Sequence, residues 1–138
     1  MRQKVGYVGL GAMGGALAGH LTAGFDLLVL DRSPAAMAAL QAKGARSAAS
    51  GAQLAREADV IFLCLPRSSD VREAIFGPEG LAEGLTAGKL IIDQTSGVPA
   101  QTAAIAAELA ARGVMMLDAP LSGGVPAAQA GTVTIIAS

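Results

Sequence analysis

One short stretch limits the folds open to this chain more than any other: Val5-Gly6-Tyr7-Val8-Gly9-Leu10-Gly11-Ala12-Met13-Gly14. An apolar run ends in Gly9-x-Gly11-x-x-Gly14, a helical pattern follows from Ala12 to Ala23, and a second apolar run closes on Asp31. Strand, glycine turn, helix, strand and acidic residue within about thirty residues make up the dinucleotide fingerprint. Each glycine has its own task. Gly9 suits a tight strand-to-helix turn, Gly11 lets bare backbone approach a pyrophosphate, and Gly14 lets helix and strand pack closely. The helix start then offers free N–H groups and the positive end of its dipole to the phosphates. With 18 Gly in the chain, the triplet alone would not tell a cofactor loop from an ordinary turn, but its setting does. Gly9, Leu10, Gly11, Ala12, Met13 and Gly14 are the first candidate cofactor-binding residues.

The remaining pattern alternates strands with helices. Gly24 is placed to stop the first helix, and Leu27 to Leu30 read as a fully buried strand ending at Asp31. Ser33-Pro34 supplies an N-cap and a first-turn proline for a helix carrying Met37 and Leu40 and ending at Gly44. Ala45 to Ala49 is too small and polar to assign. Ser50 caps a short helix with Leu54 that stops near Asp59, and Val60 to Leu65, broken by Pro66, fits a central parallel strand covered on both faces. Ser69 or Asp70 caps a further helix through Val71, Ala74 and Ile75. Leu90 to Ile92 is a strand ending in Asp93. Pro99 opens an alanine-rich helix with Ile105 and Leu109 one turn apart, Glu108 and Arg112 paired at i, i+4, and Gly113 as its stop. Val114 to Leu117 is a strand ending in Asp118, and Thr132 to Ile136 is a last one. The expected fold is α/β: a doubly wound, Rossmann-type, mostly parallel sheet with helices on both faces. Ligands bind such sheets at the carboxyl ends of strands. Gly9 to Gly14, Asp31-Arg32, Leu65-Pro66, Asp93 to Ser96 and Asp118 to Gly124 should therefore open on one crevice.

Length and composition narrow the partners. At 138 residues the chain suits one domain, 1–138, expected to be an NAD(P)-binding domain. Apolar residues reach 52% and charged ones only 15%, yet no apolar run approaches the roughly eighteen residues of a membrane span. Much of the excess is alanine, suiting thin helix–sheet layers. A net charge of −1 leaves no basic patch for nucleic acid. The single cysteine, Cys64, lies in an apolar run and is expected to be a small buried core residue. The N-terminus runs straight into the first strand with no room for a signal peptide, so a cytoplasmic location is expected. No His/Cys/Asp/Glu cluster has metal-ligand spacing.

Asp31 stands where an acidic residue hydrogen-bonds the adenosine ribose, and its charge repels a 2′-phosphate, so NAD is favoured as cofactor with NADP possible. Arg32 fits either of two roles, pairing with that phosphate or stacking on adenine, or simply a solvated loop cation. Leu65, Pro66 and Ser96 are further cofactor candidates, although Thr95-Ser96 could equally cap a helix. Ser122, Gly123 and Gly124 can offer a hydroxyl and bare N–H groups to a substrate anion, or form only a turn. Asp118 reads as an acid in the site or, in preference, as a carboxylate fixing its own loop. Nothing places His20 at a strand end, which argues against a general base.

Taken together, the motifs resemble the β-hydroxyacid dehydrogenase family, which includes 3-hydroxyisobutyrate dehydrogenase and tartronate semialdehyde reductase, along almost the whole chain. Gly9-Leu10-Gly11-Ala12-Met13-Gly14 is similar to that family's cofactor loop, Leu65-Pro66 to its Leu-Pro, and Asp93-Gln94-Thr95-Ser96 to its Asp-x-Ser-Thr with the two hydroxyl residues reversed and Gly97 in place of a bulkier residue. Asp118-Ala119-Pro120-Leu121-Ser122-Gly123-Gly124 with Gly131-Thr132 is similar to its substrate signature. The resemblance implies hydride transfer between nicotinamide and a small 3-hydroxy acid whose carboxylate Ser122 to Gly124 would hold. It also implies a catalytic lysine in a helical, dimer-forming domain beyond the matching motifs. None of Lys4, Lys43 or Lys89 lies in the matching motif, so no catalytic residue is assigned here. The chain is expected to be the cofactor-binding part of such an enzyme, homo-oligomeric when full-length. Two other readings are a stand-alone nucleotide-binding regulatory module and an NADP enzyme of the imine reductase or 6-phosphogluconate dehydrogenase kind. The Asp118 to Gly124 block argues against an imine reductase.

Overall fold

A computed structural model describes residues 2–122, 128–129 and 134–135. Its elements are β1 (Lys4–Val8), α1 (Ala12–Leu21), β2 (Asp26–Leu30), α2 (Pro34–Gln41), β3 (Arg46–Ser47), α3 (Gly51–Glu57) and β4 (Val60–Leu63). There follow α4 (Ser68–Phe76), a 3-10 turn (Leu81–Glu83), β5 (Leu90–Asp93), α5 (Pro99–Ala110), β6 (Met115–Asp118), β7 (Leu121–Ser122) and β8 (Thr134–Ile135). Six strands form one sheet in the order β3-β2-β1-β4-β5-β6, and every described pair in it is parallel. This is the doubly wound order, with the chain reversing its direction of travel across the sheet between β1 and β4.

Side chains alternate between the two faces of a strand, and helices pack on each face. On one face Val8, Leu28, Ile61, Leu63 and Ile91 pack with Leu54 of α3, Ile75 of α4 and Ile105 and Leu109 of α5. On the other, Val5, Tyr7, Leu27 and Val29 pack with Ala18 of α1 and Leu40 of α2. Helices therefore cover both faces, as the near-continuous apolar strands require. The helix starts carry local chemistry: the Ser33 hydroxyl accepts the Ala36 N–H at 3.2 Å. The Ser50 hydroxyl accepts from the Gln53 N–H at 3.1 Å while the Gln53 side chain reaches back to the Ala49 N–H at 2.7 Å, a close variant of the capping box.

Four local expectations need correction. The first helix ends at Leu21, two residues before Ala23, with the Thr22 hydroxyl donating to the Gly19 carbonyl at 2.9 Å. α4 starts at Ser68, so neither Ser69 nor Asp70 caps it; Ser68 is buried and its hydroxyl accepts the Val98 N–H at 2.8 Å. The unassigned segment contains β3, which pairs with Leu28 and Val29 and is held by Arg46, whose guanidinium grips both oxygens of Asp26 at 3.1 Å and reaches Glu57 at 3.3 Å. Glu108 pairs with Arg72 of α4 at 2.6 Å rather than with Arg112, because α4 packs beside α5 and brings the arginine across. Both Arg72 and Arg112 then lie over the Phe76 ring, at 5.3 and 5.6 Å from its centroid. The last strand is described only at Thr134–Ile135, which pairs antiparallel with β7 outside the six-stranded sheet.

Candidate cofactor-binding site

Because β1 feeds α1 on one face and β4 feeds α4 on the other, the carboxyl ends of these neighbouring strands part and leave a crevice. A cleft of about 720 Å³ opens there, lined on its β1–β2 side by Gly9, Gly11, Ala12, Met13, Gly14, Asp31 and Arg32 and on its β4 side by Cys64, Leu65 and Pro66.

The glycine loop is shaped by close approach. Gly9 has φ +99°, and a Cβ on it would run into the Cys64 carbonyl; a Cβ on Gly14 would run into the Gly9 carbonyl. Gly11 is different, since a Cβ there would meet no protein atom within 4 Å. α1 has Gly11 at its N-cap, with no side-chain cap and no acidic residue in its first turn. Its unspent N–H groups and dipole are thus left for an anion in the cleft. Leu10 is buried and does not line the cleft. Its part is played by its amide, which donates to the Asp31 carboxylate at 2.6 Å.

That carboxylate also accepts the Ser33 N–H at 2.8 Å on its other oxygen. Two backbone donors fix its plane at the end of β2, and each oxygen retains acceptor capacity for a ribose hydroxyl. Arg32 is exposed at the rim of the same cleft. Cys64 packs against the core beside Tyr7 and Phe62 as expected, but it is only partly buried and also forms part of the wall. Burial pushes its thiol pKa up, against the influence of the Tyr7 hydroxyl, so it is a poor nucleophile.

Among the described residues, three of the five strand-end stretches line this cleft, and Asp118 to Gly124 is described only as far as Ser122. Asp93, Gln94 and Thr95 are buried beside it, and Ser96 is exposed outside its lining. The polar groups in that buried cluster are paired: Tyr7 donates to Gln94 Oε1 at 2.5 Å, Thr95 N–H to Asp93 Oδ1 at 2.9 Å, and Leu65 N–H to the Thr95 hydroxyl at 3.0 Å. Burial pushes the Asp93 carboxyl up; the Thr95 hydroxyl and amide pull it back, and the neighbouring Asp118 adds to the rise. Asp118 lines a separate hollow of about 230 Å³ with Pro99, Thr102 and Met116. The backbone of Ser122 pairs with Thr134, while Gly123, Gly124, Gly131 and Thr132 lie outside the described residues. His20 is a tether: its Nε2 lies 2.9 Å from the Ala128 carbonyl and 3.1 Å from that of Gln129, so it donates there. Lys89 is likewise engaged, its ammonium donating to the Ala55 and Arg56 carbonyls at the end of α3.

Reading strand ends alone missed the far wall. Arg67, Asp70, Glu73 and Ala74 of α4 and its N-cap, with Pro78 and Glu79 of the following loop, complete the cleft. Arg67 and Asp70 form an ion pair at 3.2 Å. The signal was the break at Pro66 followed at once by a helix, since at a switch point the second helix must wall the crevice. Among the described residues no His/Cys/Asp/Glu group is arranged to hold a metal ion.

The sequence pattern of the NAD binding domain of 6-phosphogluconate dehydrogenase matches residues 4–138. The mitochondrial 3-hydroxyisobutyrate dehydrogenase of Homo sapiens is 37% identical over 136 residues, which is 98% of this chain and 40% of that protein. Among solved structures, 3-hydroxyisobutyrate dehydrogenase from Salmonella typhimurium superposes with a TM-score of 0.88 at 36% identity, over 98% of this chain and 47% of that one. Psf3 in complex with NADP+ and 2-OPP superposes with a TM-score of 0.91 at 32% identity, over 96% of this chain and 48% of that one. The chain spans less than half the length of the curated relatives it matches.

Proposed function

The chain belongs to the family of NAD-binding domains typified by 6-phosphogluconate dehydrogenase, and from that premise we propose that it is the cofactor-binding part of a dehydrogenase acting on a small 3-hydroxy acid. The reaction is hydride transfer between the nicotinamide and the carbinol carbon, with the cofactor supplying the redox chemistry and the chain binding and orienting it. The observation that carries this reading is the joining of the Gly9–Gly14 loop, the uncapped start of α1 and the Asp31 carboxylate in one cleft at the β1–β4 switch point. Gly11 to Met13 would hold the pyrophosphate, and Asp31 would take the adenosine ribose.

NAD is the preferred cofactor, because the Asp31 charge faces the position of a 2′-phosphate. A second reading, use of NADP, is favoured by the exposed Arg32 on the same rim. Comparing NADH and NADPH affinities by calorimetry separates the two: tighter NADPH binding by the parent chain would assign the corner to Arg32. The resemblance supplies the remainder. Ser96 would approach the nicotinamide, Ser122, Gly123 and Gly124 would hold the substrate carboxylate, and the lysine that the resemblance implies would serve as acid–base in a homo-oligomer. No helix among the described residues is long and apolar enough to cross a membrane; a cytoplasmic site of action agrees with the free Cys64.

A further inference from the structure

We infer that Thr95 is a positioning residue for this cleft: its hydroxyl accepts the Leu65 N–H and so sets where the Leu65-Pro66 wall stands, an inference that rests on the cofactor-binding reading of the same site. The need for it comes from the way β4 ends. Cys64 N–H still donates to the Val8 carbonyl at 2.9 Å, and Gln94 N–H donates to the Leu63 carbonyl at 2.7 Å, so the ladder is intact up to that level. One residue further on, the Leu65 amide points to the β5 side, as the Leu63 carbonyl does, but the β5 ladder has ended at Asp93 and supplies it no strand carbonyl. The Thr95 hydroxyl takes that place at 3.0 Å.

Thr95 is itself held firmly. It is 3% exposed, and its own N–H donates to Asp93 Oδ1 at 2.9 Å, with Asp93 2% exposed. A hydroxyl has one proton and two lone pairs, whereas an ionised carboxylate only accepts. The Thr95 hydroxyl also hydrogen-bonds the Asp93 carboxylate, so its proton points to Asp93 and a lone pair is free for Leu65. The next residue back is locked too, through Tyr7 and Gln94 at 2.5 Å. A rigid β5 end thereby fixes the second residue of the β4 exit loop, although Thr95 does not line the cleft. Valine would keep the shape and remove the acceptor, leaving the Leu65 N–H unpaired in a partly buried place, where such a loss is costly.

The test uses the 138-residue chain, with amide hydrogen exchange followed by NMR and NADH affinity by calorimetry. Leu65 is expected to be protected in the parent and in Thr95→Ser. In Thr95→Val it should exchange at least about tenfold faster, with Ile91 unchanged, and NADH should bind about tenfold more weakly, the loss expected of one buried hydrogen bond. Thr95→Ala serves if the valine variant does not fold. An unprotected Leu65 amide in the parent would overturn the inference, as would a folded hydroxyl-free variant with parental Leu65 exchange or parental NADH affinity. Failure of the parent to bind NADH counts against the cofactor reading instead, while Leu65 exchange still decides whether the tether exists.

Discussion

Gly11 and Gly14 stand three residues apart in one loop and answer opposite demands. A side chain on Gly14 collides with the Gly9 carbonyl, whereas one on Gly11 enters open cleft. Gly14→Val should therefore fail to fold or lose several kcal/mol, in keeping with overpacking at a close backbone contact. Gly11→Val should fold with a parental melting temperature and lose NADH binding by at least about a hundredfold, or about 2.7 kcal/mol; calorimetry showing parental affinity would place the pyrophosphate elsewhere. At Asp31, Asn keeps an acceptor for the Leu10 or Ser33 amide and removes the charge. The ratio of NADH to NADPH affinity should fall by about tenfold, a change of about 1.4 kcal/mol. Asp93 predicts a pH effect. Its folded-state pKa is raised, mainly by burial, so the stability it contributes is present below the unfolded carboxylate pKa and is lost as pH rises through the folded one. Asp93→Asn should accordingly raise the melting temperature at pH 7, with the gain shrinking toward pH 4; a constant difference across that range would mean that the carboxylate is not the group responsible.

Helix starts and strand ends were legible where the deciding contacts are local. Ser33, Ser50 and Pro99 act within one turn of their own helices, and the observed starts of α2, α3 and α5 follow them. Ser50→Ala should cost about 1 kcal/mol, read as a lower urea midpoint with an unchanged slope. Elements decided by distant partners were not legible. β3 is two residues long and exists because β2 offers it a ladder and Arg46 reaches Asp26 and Glu57. α4 starts two or three residues early, at Ser68, whose hydroxyl is taken by the Val98 amide thirty residues away. An i, i+4 pattern on α5 suggested Arg112 for Glu108, and a neighbouring helix supplied Arg72 instead.

Across the whole molecule the two faces of the sheet are not equally finished. On the α1–α2 side, the rows that begin at Val5 and Tyr7 run outward to Phe62, Ile92 and Leu117, all partly exposed, and to Met115, 66% exposed. Apolar surface of this kind favours association. Sedimentation velocity on the isolated chain should show self-association that rises with concentration and is reduced by Met115→Lys. Under the proposed function, the chain alone should not turn over semialdehyde substrates with NADH, since general acid–base help is worth about 10²–10⁴ in rate. Robust NADH oxidation surviving replacement of Lys4, Lys43 and Lys89 would show that another residue delivers the proton.

The sequence by itself determined the sheet class, the glycine turn, Asp31 at the end of β2 and the apolar strands, because each rests on residue spacing and on backbone geometry that only certain residues allow. Tertiary structure alone decided which strand ends share a crevice. Gly9 to Gly14, Asp31-Arg32 and Leu65-Pro66 meet because β1, β2 and β4 are neighbours in the sheet; Asp93 to Thr95 turn inward to pair with Tyr7 and Leu65. It also decided that α4 makes the far wall and that Cys64 stands in the lining. Those outcomes depend on hydrogen bonds and packing between residues tens of positions apart, and periodicity along the chain carries no information about such pairings.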